Sequence, residues 1–311
     1  MSKPAKEEVL TASALIDALP GPTAREVGVG EHGSVRLVDV MPRMVQPDGL
    51  GPEAAIVQAA RVSYGAGTKT VRSDEALLRY LFRHDHMTPF EMIVLKFRVC
   101  APLFTARQWM RHRSGSFNEQ SARYSAITPE FYMPERRELR VQSKKNKQGG
   151  GKLLTDNDAK AFSIRTDMAY KMTQTTYETS LKAGVVRELS RIVLPEGRYT
   201  TFYWTVNLRN LFGFLKLRLD AAAQGNIREY ANGILSVISA YCPVAVKAFN
   251  DYQMSAISLT ALEVEAIQSG ETPKEMSSRE RAEWAAKKQT LASGKRKAES
   301  SSSTPAAKRQ A

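Results

Sequence analysis

The densest group of chemically active side chains lies between residues 111 and 125, where arginine, histidine, glutamate, amide and hydroxyl groups follow one another. An arginine fork can match two oxygens of a phosphate or carboxylate at once. Serine and asparagine side chains add short-range donors, and Gly115 allows backbone N–H groups to face an anion. The segment therefore predicts a polar loop that binds phosphorylated ligands, and the alternative is a solvated loop in a basic protein.

A second group of polar side chains lies between residues 84 and 91. His84 and His86 are two residues apart and are accompanied by Asp85 and Glu91. Such a group is also found at metal sites, but no third strong ligand follows at a useful spacing. We therefore expect histidines held near a helix end, and no metal.

Apolar periodicity predicts the elements that must position these residues. Strands are predicted at 34–40, 93–101 and 199–206. Helices are predicted at 53–62, after Ser73, from Pro102 through Met110, from Asp156 or Asn157 to Gly184, at 185–193, after Asn207, and from Gly225 or Asn226 through Tyr241. In the Pro102 helix, Gln108 and Arg111 would share one face. In the long helix, Ile164, Met168 and Met172 recur at i+4 spacing.

The length of 311 residues and a hydrophobic content of 42% allow a substantial core. The net charge of +13 lies mostly in two stretches, with +6 in residues 136–152 and +5 in residues 271–311. Nucleic-acid binding by the folded body is therefore not expected. We predict a flexible N-terminal extension at 1–30, a catalytic domain at 31–255 with a flexible basic insertion at 136–152, and a charged, largely disordered tail at 256–311.

Apolar runs, cysteines and the basic tail bear on localisation. No apolar run is long enough to span a bilayer, and the first residues lack the apolar core of a secretory signal. Two cysteines are too few for a disulfide framework, which favours a reducing compartment and a cytoplasmic location. The clusters Lys295-Arg296-Lys297 and Lys308-Arg309 fit a nuclear signal or a solubilising tail. Ser277 with Glu280 fits a capping box for a charged helix ending near Lys288.

Three short motifs stand out along the chain. Arg111-His112-Arg113 is followed by seven residues and then Ser121, His86 begins a His-x-Thr-Pro-Phe-Glu pattern, and residues 191–195 read Arg-Ile-Val-Leu-Pro. Together these motifs resemble those of flavin-dependent thymidylate synthases. The resemblance extends over about residues 34–249. It implies an α+β fold with a central helical bundle and a small antiparallel sheet. It also implies a homotetramer with shared active sites, which converts dUMP to dTMP with methylenetetrahydrofolate as carbon donor and FAD relaying hydride from NADPH.

The resemblance also implies two sets of site residues. The residues expected to bind dUMP are Gln108, Arg111, Glu119, Gln120, Ser121, Arg123, Arg191 and Arg218. The residues expected to bind FAD are Ser63, His86, Thr88, Arg111, His112, Arg113, Glu119, Asn207 and Arg209. For Arg191 a structural role is the alternative, since a helix dipole favours a cation near its C-terminus.

Arg218 and Ser121 are the residues expected to serve the reaction itself. Arg218 would stabilise negative charge on the uracil ring as hydride arrives. Ser121 would contact the phosphate and is not expected to be a nucleophile, because no base stands beside it in the sequence.

The chemistry must proceed without a cysteine adduct. Ordinary thymidylate synthases use a thiolate, but Cys100 lies in an apolar strand and Cys242 precedes a proline at the end of a packed helix. Two positions depart from the family pattern, with Gly213 in place of a frequent Asn and Ala222 in place of a frequent His. They favour the alternative of a catalytically impaired nucleotide- or RNA-binding protein of the same fold. A basic nucleic-acid module with no enzymatic past is a third interpretation.

Overall fold

A five-stranded antiparallel sheet lies at the centre of the chain. The computed structural model describes residues 26–42, 50–63, 73–144 and 149–293. The strands of this sheet are β1 (Glu26–Val29), β2 (Gly33–Met41), β3 (Val94–Pro102), β4 (Ser116–Glu119) and β7 (Tyr199–Asn207). Their order is β1-β2-β3-β7-β4. The three predicted strands are confirmed, and β4 corrects the prediction that residues 116–119 belong to a loop.

Alternating apolar residues bury one face of this sheet. In β3, Leu95, Phe97 and Val99 are fully buried, and β7 places Trp204 opposite Phe97 in the register. The Trp109 ring meets the Trp204 ring edge to face at a centroid distance of 5.3 Å. Burying a large side chain of this kind stabilises the fold by about 1.5–3 kcal/mol. The sheet therefore forms a rigid base for the polar segment that follows Trp109.

Helices pack around the sheet and confirm a mixed helix and sheet protein. In the described residues they are α1 (Ala54–Val62), α2 (Asp74–Arg83), α3 (Leu103–Trp109), α4 (Asp156–Lys182), α5 (Arg187–Ser190), α6 (Leu208–Arg218), α7 (Gly225–Tyr241), α8 (Pro243–Phe249), α9 (Ala261–Ser269) and α10 (Ser278–Ser293). Short 3-10 turns occupy Gly51–Glu53, Thr88–Met92 and Arg191–Val193. The core of the described residues lies between the sheet and the helices, and the central helical bundle of the predicted fold stays a prediction. No helix of the described part is long and apolar enough to cross a membrane.

Two predicted caps are confirmed, and one predicted helix is shorter than expected. The Ser73 side chain accepts a hydrogen bond from Ala76 N, and that of Asn207 accepts one from Asn210 N. Pro102 is the N-cap of α3 and ends β3, whereas the sequence suggested the first helical position. Because α3 ends at Trp109, the prediction that Gln108 and Arg111 share a helix face is wrong.

The long helix α4 carries its apolar stripe on the outside of the chain. Ile164, Met168 and Met172 have exposed fractions of 50%, 62% and 72%. The periodicity predicted the helix correctly, but these side chains contribute nothing to the core of a single chain. A contiguous exposed stripe of this kind marks an interaction surface.

Two segments that were predicted to lack order are partly ordered. In the basic insertion, β5 (Arg140–Gln142) pairs antiparallel with β6 (Gly150–Leu153), and residues 145–148 lie outside the described residues. Backbone pairing and the Arg136 bonds to Asp156 and Leu154 O hold this hairpin. The prediction of a flexible loop is therefore wrong for the paired strands.

The tail contains a small helical unit of its own. Ala266, Met276 and Trp284 form a buried cluster between α9 and α10, and Lys287 pairs with Glu263 at 2.7 Å. The predicted capping box is confirmed, since Ser277 N donates to Glu280 and Glu280 N donates to Ser277 Oγ. The prediction of a largely disordered tail is wrong for α9, whereas α10 confirms the charged helix that this capping box was predicted to begin. Residues 1–25 and 294–311, with both basic clusters, lie outside the described residues, and the domain limits stay a prediction.

Candidate active site

Three predicted site residues from three separate elements meet beside the sheet. Arg218, the last residue of α6, donates from Nε to His112 Nε2 at 2.9 Å. Its Nη2 lies 3.5 Å from the carbonyl oxygen of Gln108, which belongs to the last turn of α3. The ring of His112 packs edge to face on Phe214 at 4.9 Å between centroids. Gln108, His112 and Arg218 therefore form one cluster, which we call the arginine–histidine cluster.

The electrostatics of this cluster follow from burial and from its positive neighbour. Burial, followed by the nearby Arg218 charge, lowers the pKa of His112 to about 4. Burial also lowers the pKa of Arg218. His112 is therefore neutral near pH 7, and its unprotonated Nε2 can accept the hydrogen bond from Arg218. This arrangement holds a positively charged guanidinium in a partly desolvated position.

Only the nitrogen of the Gln108 side-chain amide has a hydrogen-bond partner among the described residues. Its Nε2 donates to Gln224 Oε1 at 2.9 Å, while its own Oε1 is buried and has no partner among the described residues. A buried polar atom without a partner costs free energy and commonly marks a place where a ligand or water completes the bonding. Gln108 is therefore suited to bind a donor group, such as the N–H of a pyrimidine base.

A second cluster of predicted residues lies along the sheet edge at the end of β4, and we call it the edge cluster. Its members are Glu119, Gln120, Ser121, Arg123 and Arg191. Glu119 Oε1 accepts a hydrogen bond from Thr200 Oγ1 at 2.6 Å, and Gln120 N donates to Thr201 O at 2.9 Å. The Arg123 guanidinium pairs with Glu188 at 3.1 Å. These contacts attach the edge cluster to β7 on one side and to α5 on the other.

Ser121 and Arg191 complete the edge cluster. Ser121 Oγ accepts from Arg123 N at 3.3 Å, and no described imidazole or carboxylate is bonded to this hydroxyl. Arg191 Nε lies 3.4 Å from Glu188 O, which is a weak contact that leaves most of its donors open. The geometry thus supports anion binding at this edge and gives Ser121 no activating base.

Four of the remaining predicted residues line a separate cleft of about 890 Å³, namely Ser63, His86, Thr88 and Arg209. The rest of the lining is largely apolar and comes from α1, α2 and the 3-10 turn: Ala59, Ala60, Val62, Leu77, Tyr80, Leu81, Asp85, Met87, Pro89 and Met92. An apolar cleft of this size with a few polar groups is typical of a cofactor site.

Contacts within the chain already engage some of the polar groups at this cleft. Arg209 pairs with Glu91 at 2.5 Å, so its charge is partly balanced. The Asn207 amide oxygen is used to cap α6, which leaves its amide nitrogen for a ligand. The His84 ring packs at a tilt against the Tyr80 ring at the end of α2, as expected for a histidine near a helix end. Within the described ranges, no three His, Cys, Asp or Glu side chains are placed to hold a metal ion.

Arg111 and Arg113 are exposed and do not line the cleft. They lie in the turn between α3 and β4, where His112 N donates to Trp109 O. Gly115 in this turn cannot be replaced easily, since an added Cβ would lie 2.5 Å from Trp204 Nε1. The chain therefore presents both arginines outward, while the backbone beside them is tightly packed.

Most of the predicted residues thus lie in three places, which are the arginine–histidine cluster, the edge cluster and the cleft, and α6 connects the first with the third. α6 carries Arg209 in its first turn at the cleft and Arg218 at its last residue in the arginine–histidine cluster. Nine residues of α-helix span about 14 Å along the axis. In one chain, the cleft residues and the arginine–histidine cluster are therefore separated.

Sequence reasoning missed several residues that the fold adds to these clusters. Thr200 and Gln224 hold Glu119 and Gln108 directly, and Glu188 pairs with Arg123. Arg198, just before β7, also lies near the edge cluster. Strand alternation in residues 198–202 was the one sequence signal that could have found Arg198 and Thr200 together.

Comparisons with known proteins bear on this arrangement. A family model described as thymidylate synthase complementing protein matches residues 43–244. The flavin-dependent thymidylate synthase of Dictyostelium discoideum is 46% identical over 275 residues, which are 88% of this chain and 90% of that protein. An enzyme of the same name from Thermus thermophilus is 47% identical over 248 residues, 79% of this chain and 86% of that protein.

Solved structures of a pyrimidine nucleotide methylase are also similar to this chain. The UMP/dUMP methylase PolB from Streptomyces cacaoi, bound with 5-Br UMP, is 33% identical with a TM-score of 0.61 and covers 73% of this chain and 97% of its own. The same protein bound with 5-Br dUMP is 34% identical with a TM-score of 0.61 and covers 73% of this chain and 98% of its own.

Proposed function

The chain belongs to the flavin-dependent thymidylate synthases, and we infer that it methylates dUMP to dTMP with a reduced flavin. The family match over residues 43–244 and identities above 40% across most of the chain carry this conclusion. The observation that agrees best in the structure is the contact of Arg218 with His112 and Gln108. The rest of the assignment, residue by residue, is our proposal.

Gln108 and Arg218 would hold and polarise the uracil ring. The free Oε1 of Gln108 can accept from a ring N–H, and Arg218 keeps Nη1 free of described partners for a carbonyl oxygen. A partly desolvated guanidinium stabilises negative charge on the ring more strongly than one in water. His112 would position Arg218, because a neutral ring with an accepting Nε2 fixes one N–H and adds no competing positive charge.

Glu119, Gln120, Ser121, Arg123 and Arg191 would hold the sugar and phosphate of dUMP. Their hydroxyl, amide and guanidinium groups suit phosphate oxygens. Arg111 would belong to this set or to the flavin side, since it is exposed on the turn between them.

No thiol takes part in this scheme. Burial raises the pKa of Cys100, and burial raises the pKa of Cys242 well above its usual value. Both thiols are therefore protonated and unreactive near pH 7. The ring must therefore be activated without a cysteine adduct, which agrees with an enzyme in which a reduced flavin supplies hydride.

The cleft fits the flavin that the family name requires. Its apolar walls suit an aromatic ring system, and Ser63, His86, Thr88 and Arg209 add donors. We propose FAD as this flavin, held also by His112, Arg113, Glu119 and Asn207. When bound, the flavin supplies the reducing equivalents, which we propose come from NADPH, and methylenetetrahydrofolate would supply the carbon.

A homotetramer with shared active sites would bring the separated clusters together. The cleft residues and Arg218 lie at opposite ends of α6, and a partner chain would place a flavin beside the nucleotide. The exposed stripe of Ile164, Met168 and Met172 on α4 supplies an apolar surface for such an assembly.

The alternative is a catalytically impaired nucleotide- or RNA-binding protein of the same fold. This alternative would rest on Gly213 and Ala222, where the family often has Asn and His. A Cβ at Gly213 would meet no atom within 4 Å, so packing within the described chain does not require glycine there. The two departures therefore concern the ligand side, and only a flavin measurement separates the two functions.

The decisive experiment follows NADPH oxidation by the purified protein with added FAD, with and without dUMP. Methylenetetrahydrofolate is then supplied and dTMP is measured. Oxidation stimulated by dUMP together with dTMP formation is the expected result. Tight dUMP binding without flavin uptake or dTMP would favour the impaired protein.

A further inference from the structure

Arg198 is held rigidly at the entrance of β7. Its backbone N donates to Pro195 O at 3.1 Å, and its carbonyl oxygen accepts from Leu103 N at 2.8 Å. An antiparallel bridge to Phe131 fixes it from a third side. The position of this residue is therefore determined by the fold and does not depend on a loop.

Strand geometry places the Arg198 side chain in line with the edge cluster. Side chains two residues apart in an extended chain share a face, so Arg198 follows Thr200 and Phe202. Glu119 is the register partner of Phe202 and is hydrogen-bonded to Thr200, which places it on this same face. Arg198 thus extends the row that carries a residue expected to bind the nucleotide.

The charges around Arg198 are not balanced within the chain. Its half-buried guanidinium has no ion-pair partner within 4 Å among the described residues. Burial lowers its pKa, the charge of Glu119 opposes that effect, and the like charge of Arg191 adds to it. Arg123 is already paired with Glu188, and among the described residues Glu119 is the carboxylate whose charge acts on Arg198.

Two partly desolvated arginines beside one carboxylate carry a net positive charge, which an added anion would balance. A phosphate monoester carries about −1.5 to −2 charge near pH 7 and offers three acceptor oxygens. We propose that Arg198 is a further substrate-binding residue, which contacts the phosphate of the nucleotide together with Arg191. This inference rests on the proposed function and adds to the residues that the family motifs indicate.

The test compares Arg198→Leu, Arg198→Lys and a control, Arg36→Leu, in the FAD-loaded protein. Arg36 is an exposed arginine of β2, opposite Glu26. The Kd and KM for dUMP are measured, as is kcat/KM for deoxyuridine, which lacks the phosphate. The flavin absorbance spectrum of each variant reports whether it is folded.

In Arg198→Leu, the Kd and KM for dUMP should rise roughly 10- to 100-fold, because a charge-assisted hydrogen bond to phosphate is lost. Its kcat and its kcat/KM for deoxyuridine should stay within about threefold of wild type, since neither depends on that bond. The Kd and KM of Arg198→Lys for dUMP should lie between those of wild type and Arg198→Leu, because lysine keeps the charge but cannot bond two phosphate oxygens with a planar guanidinium. Arg36→Leu should match wild type.

Three results separate the possible failures. If wild type neither binds nor converts dUMP, the proposed function fails and this inference fails with it. If wild type converts dUMP and Arg198→Leu keeps its KM, the inference alone is refuted. Equal losses for dUMP and deoxyuridine would also refute it, because they would indicate a structural role for Arg198.

Discussion

A buried carboxylate that is not part of the cleft lining makes the stability of this protein depend on pH. Glu53 is fully buried and accepts hydrogen bonds from Val244 N at 3.2 Å and Ala245 N at 2.5 Å. It thereby caps the N-terminus of α8, which packs against α2, a wall of the cleft. Burial raises the pKa of Glu53 from 4.5 to about 7, although both hydrogen bonds oppose this shift.

The sign and size of the effect follow from that pKa. Between these two values the folded protein keeps a proton that the unfolded chain releases, so stability falls as the pH rises. The contribution of Glu53 is fully present below the unfolded pKa and is lost as the pH rises through about 7. From pH 5 to pH 8, the loss in the free energy of unfolding is about 2.5 kcal/mol.

The assay compares urea unfolding of wild type and Glu53→Gln at pH 5, 6, 7 and 8, with equal protein concentrations. The variant lacks the titrating group, so the difference between the two proteins should change by about 2.5 kcal/mol across this range. Other groups titrate alike in both proteins and cancel. A constant offset is also expected, because the amide nitrogen of glutamine would face a backbone donor.

Glu280→Gln is the matched control. This carboxylate also caps a helix, but its hydrogen bonds to Ser277 lower its pKa. Its contribution is present above the unfolded pKa and is lost only on acidification, so from pH 5 to pH 8 its curve should run parallel to wild type. If the Glu53→Gln curve also runs parallel to wild type within about 1 kcal/mol, the reasoning about Glu53 is refuted.

Further substitutions test the active site and its support. Arg218→Ala should lower kcat on the order of 10²–10³-fold while the flavin spectrum is kept, because charge on the ring loses its partner; near-normal turnover would show that another residue has this role. Gly115→Ala should lower the free energy of unfolding by about 1–3 kcal/mol, since the new Cβ would lie 2.5 Å from Trp204 Nε1, and thermal unfolding measures the loss. Cys100→Ser and Cys242→Ala should keep dTMP formation in the folded fraction, and abolished turnover in both would contradict a route without a thiolate.

Local patterns predicted much of the fold because the responsible forces act over a few residues. Alternation located β3 and β7, and the side chains of Ser73 and Asn207 cap the helices that they were predicted to begin. Predictions failed where order depends on distant contacts. The 140–153 hairpin and the α9–α10 pair are rich in charge, yet backbone pairing and a small buried cluster order them.

Linear features of the chain were enough to indicate the family, the types of residue in the site and the lack of a suitable thiol. The Arg-His-Arg motif and its serine are read directly along the sequence. Both cysteines lie in apolar segments, where burial raises the pKa of the thiol and keeps it protonated. These properties follow from side-chain chemistry and near neighbours along the chain.

Which of these residues act together follows from the folded arrangement alone. Arg218 and His112 are 106 positions apart, and their hydrogen bond exists because α6 and the turn after α3 pack on the same sheet. Arg198 became a candidate for the same reason, since strand pairing aligns it with Glu119. Contacts between distant segments depend on the packing of whole elements, and a local sequence pattern does not encode that packing.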